Sequence, residues 1–280
     1  MATIKTGTAA QAWRPDVTTF APIDEIPDAL IVQASTMGGK VEGDMPVVRV
    51  AYITDDDAQF SAEAEVIPES DPVLSEALVH TAKITQLVRL SSEQYGQPGT
   101  NEQLSASLKR AITKRANEAF LAQVVPTAPA VAPVAGLLNT AGVVEGEEVT
   151  TDLDPIVDLI AELEANGASP TIIVLDPVGW ATIRKLKTAT GSNQSLVGAG
   201  VSDAVQQLLD RRVVVSPSMT VGTGLVIDPT EVISAYGDIS LSVSTDAYFN
   251  SDSIGVRATW RIGHVVPRAN RLGTFTIAED

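Results

Sequence analysis

The sequence predicts an α+β chain, and three patterns carry that prediction. A strand-turn-strand stretch crowded with carboxylates occupies residues 40–80. One long helical run opens at Thr100. From about residue 155 helices alternate with short buried strands, and a strictly alternating strand follows near the end.

Residues 1–36 lack apolar periodicity, and Pro15, Pro22 and Pro27 interrupt them. They read as an extended arm with one short helix over 23–30 and little core of its own. Val47, Val48, Val50, Tyr52 and Ile53 then read as a strand, Asp55, Asp56 and Asp57 as a turn, and 60–67 as a returning strand ended by Pro68. Lys40 and Arg49 face ten carboxylates across residues 40–80: Glu42, Asp44, Asp55, Asp56, Asp57, Glu63, Glu65, Glu69, Asp71 and Glu76. The local net is −8, half of the −16 carried by the whole chain. Such a run is either a solvated hairpin or an arm that docks on a basic partner.

Residues 79–91 read as one strand. Thr100 with Gln103 has the spacing of a capping box. Leu104, Leu108, Ile112, Ala116, Phe120 and Val124 follow at helical spacing, predicting a helix of about 25 residues and roughly 37 Å. Its other side carries Lys109, Arg110, Lys114 and Arg115. The Pro/Ala stretch 126–136 reads as a stiff connector. Beyond it, 155–165 reads as a helix with Asp154 as cap and Gly167 as its stop. Residues 171–175 read as a buried strand, and Asp176-Pro177 starts a helix through Trp180, Ile183 and Leu186. A short helix is expected over 203–209, and strands over 212–215, 225–227 and 239–243. In the last strand Ile254, Val256, Ala258, Trp260 and Ile262 alternate with Gly255, Arg257, Thr259 and Arg261. Arg257, Arg261, Arg268 and Arg271 give this segment +4 with no carboxylate between them.

Composition narrows the function. A chain at −16 is a poor non-specific nucleic-acid binder, because phosphate contacts need Lys and Arg. With no Cys, thiolate metal sites, disulfides and Cys nucleophiles are excluded. His80 and His264 are the only histidines, too few for a multi-His metal site, and both read as structural or surface residues. No Walker loop or dinucleotide fingerprint occurs. Gly198 and Gly200 read as a flexible loop, and Ser216 and Ser218 lack the glycine elbow of a nucleophilic Ser. The Asp55–Asp57 run lacks EF-hand spacing. No apolar run approaches about 18 residues, so no membrane span is expected. The residues therefore favour a binding or building role over an enzyme, with no cofactor and no metal.

The order arm, acidic hairpin, long helix, α/β unit and basic strand resembles the Hong Kong 97-like capsid family of tailed bacteriophages. Short stretches carry the likeness: FSAEAEVIPESDP at 60–72, KITQLVRLSSE at 83–93, GLLN at 136–139, IVLDPVGWATIRKLKTATG at 173–191, RRVVVSPSM at 211–219 and YFNSDSIGVRATWRIGHVVPRANRLGTFTI at 248–277. At 211–212 Arg-Arg stands where the family usually has Gly-x-Pro. Encapsulin shells share the fold and are the alternative.

The resemblance implies an architecture and a role. The N-arm would be 1–36 and the E-loop 37–78. The peripheral domain would combine 79–133 with 234–263, and the axial domain 134–233 with 264–280. The chain would assemble with itself into pentamers and hexamers, closing an icosahedral virion shell around double-stranded DNA. It would be built in the host cytoplasm with a separate scaffolding protein, a portal and a decoration protein. The scaffolding expectation rests on the short stretch before the E-loop. Some members cross-link subunits through a Lys, an Asn and a Glu. Here those positions fall on Ala64, Asp252 and Thr259, so a non-covalent shell is expected. The candidate interface places Asp55, Asp56, Asp57, Glu63 and Glu65 against Lys109, Arg110, Lys114, Arg115, Arg257 and Arg261 of a neighbour.

Overall fold

The computed structural model describes residues 17–20, 28–54, 60, 73–97, 99–187, 194–197 and 206–278. In chain order the first strands are β1 (Val17–Phe20), β2 (Thr36–Lys40), β3 (Val47–Thr54), β4 (Val73–His80) and β5 (Ala82–Ser91). After them come β6 (Val144–Glu145), β7 (Ile172–Leu175), β8 (Gln207–Leu208), β9 (Arg211–Val215) and β10 (Thr223–Ile227). The last are β11 (Ile233–Tyr236), β12 (Ile239–Tyr248), β13 (Ser253–Val265) and β14 (Gly273–Thr276). Helices are α1 (Leu30–Gln33), α2 (Ser92–Tyr95), α3 (Thr100–Ala122), α4 (Asp154–Ala165) and α5 (Pro177–Lys185).

The first sheet is built around β13. One edge pairs antiparallel with β5 from Ser253↔Ser91 to Ile262↔Ala82. The other edge pairs first with β12 and then with β11. β1 continues the sheet beyond β12, and β2 continues it beyond β11 in parallel. The alternation read in the sequence explains this centre. Ile254, Val256, Ala258, Trp260 and Ile262 are all buried, and they meet Leu108, Ile112, Ala116 and Phe120 of α3 in one core cluster. Each large buried side chain contributes about 1.5–3 kcal/mol. Trp260 Nε1 donates to the Gly237 carbonyl at 2.9 Å, so its polar atom is satisfied in the core.

The second sheet runs β6-β14-β10-β7-β9-β8, with β7 and β9 parallel. All four residues of β7 are buried, as a strand covered on both faces requires. Asp176 caps α5, its Oδ2 accepting from the amides of Val178 and Gly179 at 3.0 Å each. Gly167 closes α4 at φ 80°.

Between the sheets, the connector is fastened to the end of α3. Asn139 Nδ2 donates to the carbonyls of Ala122 and Gln123 at 3.2 and 2.9 Å. These are orphan carbonyls at the helix C-terminus. Two further crossings, 228–232 and 266–272, are tied by Glu231. This carboxylate is 5% exposed and accepts from Arg268 Nε at 2.9 Å and Arg271 Nη1 at 2.6 Å.

Several expectations are corrected. The partner of β3 is Val73–His80, from Val47↔His80 to Thr54↔Val73, not residues 60–67. Of that run only Phe60 lies among the described residues, and it is fully exposed. The returning strand has eight residues, the same number as β3. The single strand expected over 79–91 is two, β4 and β5, broken at Thr81, whose Oγ1 donates to the Met45 carbonyl. Thr100 is no cap: Gly99 precedes the helix at φ 84°, a conformation only glycine adopts cheaply. A capping box does occur, at Ser91 and Gln94. The helix expected over 203–209 is, where described, strand β8, followed by Leu209 and Asp210 at positive φ. Asp154 lies inside the first turn of α4 and does not cap it. Of the short helix expected over 23–30 only residues 28–30 lie among the described residues, and a helix, α1, begins there at Leu30 and runs to Gln33. Ala29, Leu30, Ile31 and Ala34 are buried against α3, so this part of the arm belongs to the core.

Candidate functional site

The alternation that buries one face of β13 exposes the other. On that outer face the register sets Arg89, Gly255 and Ser244 in one row, and Leu87, Arg257 and Ser242 in the next. Thr85, Thr259 and Ser240 follow, then Lys83 beside Arg261. The face is thus built of small hydroxyl side chains and four bases, Lys83, Arg89, Arg257 and Arg261.

These bases differ in what they meet. Arg261 Nη1 donates to Thr81 Oγ1 at 3.2 Å, and Nη2 donates to Asp44 Oδ1 at 3.2 Å. Lys83 Nζ lies 3.9 Å from the same carboxylate, and Lys40 pairs with Asp238 at 2.9 Å. Together they border a cleft of about 490 Å³ at the base of the β3–β4 hairpin. Arg89 lies 4.8 Å over the Tyr248 ring. Arg257 is exposed with no ion pair among the described residues.

The bases of α3 lie elsewhere. Because α3 covers the apolar face of the sheet, Lys109, Arg110, Lys114 and Arg115 are on the opposite side from Arg257 and Arg261. Lys114 and Arg115 both approach Glu118, at 4.0 and 3.5 Å, and Arg115 Nη2 donates to Gln123 at 2.8 Å. Arg110 is exposed and has no ion pair among the described residues; Lys109 is half-buried. The six bases therefore form two surfaces, not one. Arg261 is withdrawn from either by Asp44, which folds back from the hairpin base. The acidic candidates Asp55, Asp56, Asp57, Glu63 and Glu65 lie outside the described residues, as do Gly198 and Gly200.

Lys83 and Arg89 were not among the candidates, although the sequence carried a signal for them. Residues 82–91 alternate with period two, which puts Lys83, Thr85, Leu87 and Arg89 on one face.

The remaining reactive side chains serve structure. His264 is buried, meeting Phe120 edge-on with centroids 5.1 Å apart. Burial pushes its pKa down to about 4, opposed by a hydrogen bond with the Ala135 backbone. His80 ends β4, and its carbonyl would lie 2.2 Å from a Cβ placed on Gly263. Only glycine therefore fits there on β13. Ser216 is buried, its Oγ accepting from the Ser218 amide at 3.2 Å. Asp252, at φ 46°, accepts from Ser92 Oγ at 2.7 Å, while Thr259 lies seven residues along on β13. Among the described residues no group of three or more His, Asp or Glu could hold a metal ion. Nor is any described helix long and apolar enough to cross a membrane.

A family model described as the phage capsid family matches residues 29–276. A solved chain from Gordonia phage Cozz has a TM-score of 0.69 at 17% identity, over 90% of this chain and 87% of that one. A structure described as the capsid of a native GTA particle gives 0.68 at 15%, over 99% and 100%. A chain from Mycobacterium phage Adephagia gives 0.67 at 12%, over 100% and 99%. At such identities the likeness is one of fold. No curated protein matches the chain in sequence.

Proposed function

This chain belongs to the phage capsid family, and from that premise we propose how it builds its shell. Its fold is the Hong Kong 97-like α+β fold, and it is a major capsid protein, a structural component of an icosahedral virion shell. Within that shell the subunits form pentamers and hexamers around double-stranded DNA, without catalysing a reaction. Assembly takes place in the host cytoplasm with scaffolding, portal and decoration proteins. The division into N-arm 1–36, E-loop 37–78, peripheral domain 79–133 with 234–263, and axial domain 134–233 with 264–280 belongs to the same reading. The strand pairing supports it: β5 and β11 to β13 lie in one sheet and β6 to β10 with β14 in the other, while one core cluster joins the two, bringing Ile172, Val174, Leu225 and Ile227 together with α3 and β13. A chain at −16 suits a container, because a wall that does not grip phosphate lets DNA pack and leave.

The observation that carries the assembly reading is the charge division. Residues 40–80 net −8, and the sheet face opposite α3 presents Lys83, Arg89 and Arg257. A two-stranded ribbon is marginal alone and gains stability from a neighbour. The acids of the hairpin therefore dock on basic surface of an adjacent subunit. Each exposed pair contributes only about 0–1 kcal/mol, but the contact recurs at every subunit. Reversing Asp55, Asp56 and Asp57 to Lys is expected to block assembly while the subunit stays folded. The wild-type contact should weaken with salt, since the Debye length is about 8 Å at 0.15 M. Sedimentation across a salt series reads both effects. Neutral Asn and Gln replacements that assemble like wild type at every salt concentration would refute docking.

A further inference from the structure

The alternation of β13 carries His264 onto the face that α3 covers, two residues beyond Ile262. There it bounds a cavity of about 390 Å³ where the end of α3, β5, β13 and the connector meet. The wall is largely apolar: Ile84 from β5, Ala119 and Phe120 from α3, and Val134 from the connector. Volume and wall chemistry are those of a small-molecule site. No carboxylate lines it, and the guanidinium of Arg115 already donates to Gln123 at 2.8 Å. His264 is different. It is 5% exposed, and its Nε2 is the one buried side-chain nitrogen or oxygen of this lining without a hydrogen-bond partner among the described residues. Burial lowers the pKa of the ring to about 4, and a hydrogen bond with the Ala135 backbone opposes that shift. Only a bond that the ring donates favours its protonated form, so Nδ1 carries the proton towards the Ala135 carbonyl. Nε2 is therefore left as a lone pair, an acceptor and not a donor.

We propose that this cavity binds a small uncharged aromatic molecule with a single N–H or O–H donor, of the indole or phenol kind. The ring lies against Phe120, Ala119 and Val134, and the donor meets His264 Nε2. A buried acceptor without a donor is costly, and such a ligand removes that cost. A carbonyl or carboxylate in the same place would set lone pair against lone pair. A charged ligand would lose its hydration among apolar walls with no free counter-charge beside it. Because the wall is drawn from α3, β5 and β13 together, the bound molecule ties the end of the helix to the sheet. The competing view is that water in the cavity is all that Nε2 requires.

Indole and benzofuran decide between these views, since they share a shape and only indole carries an N–H. Each is titrated calorimetrically into the full-length protein at neutral pH. Indole is expected to bind with a Kd of about 0.1 mM, about tenfold or more tighter than benzofuran. His264→Phe takes away the acceptor, and the preference for indole should vanish with it. Ala119→Phe fills the cavity from α3 without touching His264, and should abolish binding of both. It also keeps the proposal testable if His264→Phe does not fold. Indole should in addition raise the urea midpoint of the wild type and leave that of Ala119→Phe unmoved. Equal affinity for the two probes would overturn the proposal, as would no binding of either up to its solubility limit. So would a preference for indole that survives His264→Phe, or indole binding that survives Ala119→Phe.

Discussion

His264 is neutral because it is buried beside Phe120, where a charge would have no water. Its folded pKa of about 4 lies below the ordinary 6.5. Protonation therefore favours the unfolded chain. The stability this arrangement holds is complete above pH 6.5 and falls as pH drops from 6.5 towards 4, by up to about 3 kcal/mol. Comparing the pH dependence of urea unfolding in wild type and His264→Gln isolates this contribution between pH 6.5 and 4.5, where the wild-type slope should be the steeper. Equal slopes would show that His264 charges without penalty. Nothing in the sequence distinguished this histidine from His80. What separates them is that β13 runs beneath the end of α3 while β4 ends at the sheet margin, a tertiary relation that local pattern does not contain.

Among the elements, the crossings between the two sheets depend on one carboxylate. Glu231 joins Arg268 and Arg271, and Arg271 Nε also donates to the Asn166 carbonyl at the end of α4. Glu231→Gln leaves two arginines without their counter-charge. Both are partly exposed, so the expected cost is about 3 kcal/mol, the lower end for breaking a buried pair. A shift in urea midpoint measures it, and a change under about 0.5 kcal/mol, the size of an ordinary surface substitution, would count against the clamp. The sequence announced the +4 segment but not this use of it, because Glu231 and its partners are 37 and 40 residues apart. Elements with strong periodicity were legible: α3 from its four-residue spacing, β13 from alternation, α5 from Asp176-Pro177. Register was not. Three aspartates suggested a turn soon after β3, yet its partner strand begins at Val73, and only long-range pairing fixes that. The candidate site was half legible for the same reason. Arg257 stayed exposed on its face, but Arg261 closes on Asp44, a pairing 217 residues apart.

At the scale of the whole molecule, the proposal is a shell held without covalent links between subunits. A cross-link of the Lys–Asn kind needs an amine nucleophile, and Ala64 has none. Particles boiled in denaturant should run as one band near 29.3 kDa, and a ladder would contradict the assignment of those positions. A −16 chain with an acidic hairpin and a basic sheet face should assemble with copies of itself into closed shells. Negative-stain electron microscopy of the purified full-length protein, at low and at high salt, tests it most directly. Rings or closed icosahedral particles of uniform size are expected at low salt, and their loss as salt rises. A monodisperse monomer under every condition would contradict it.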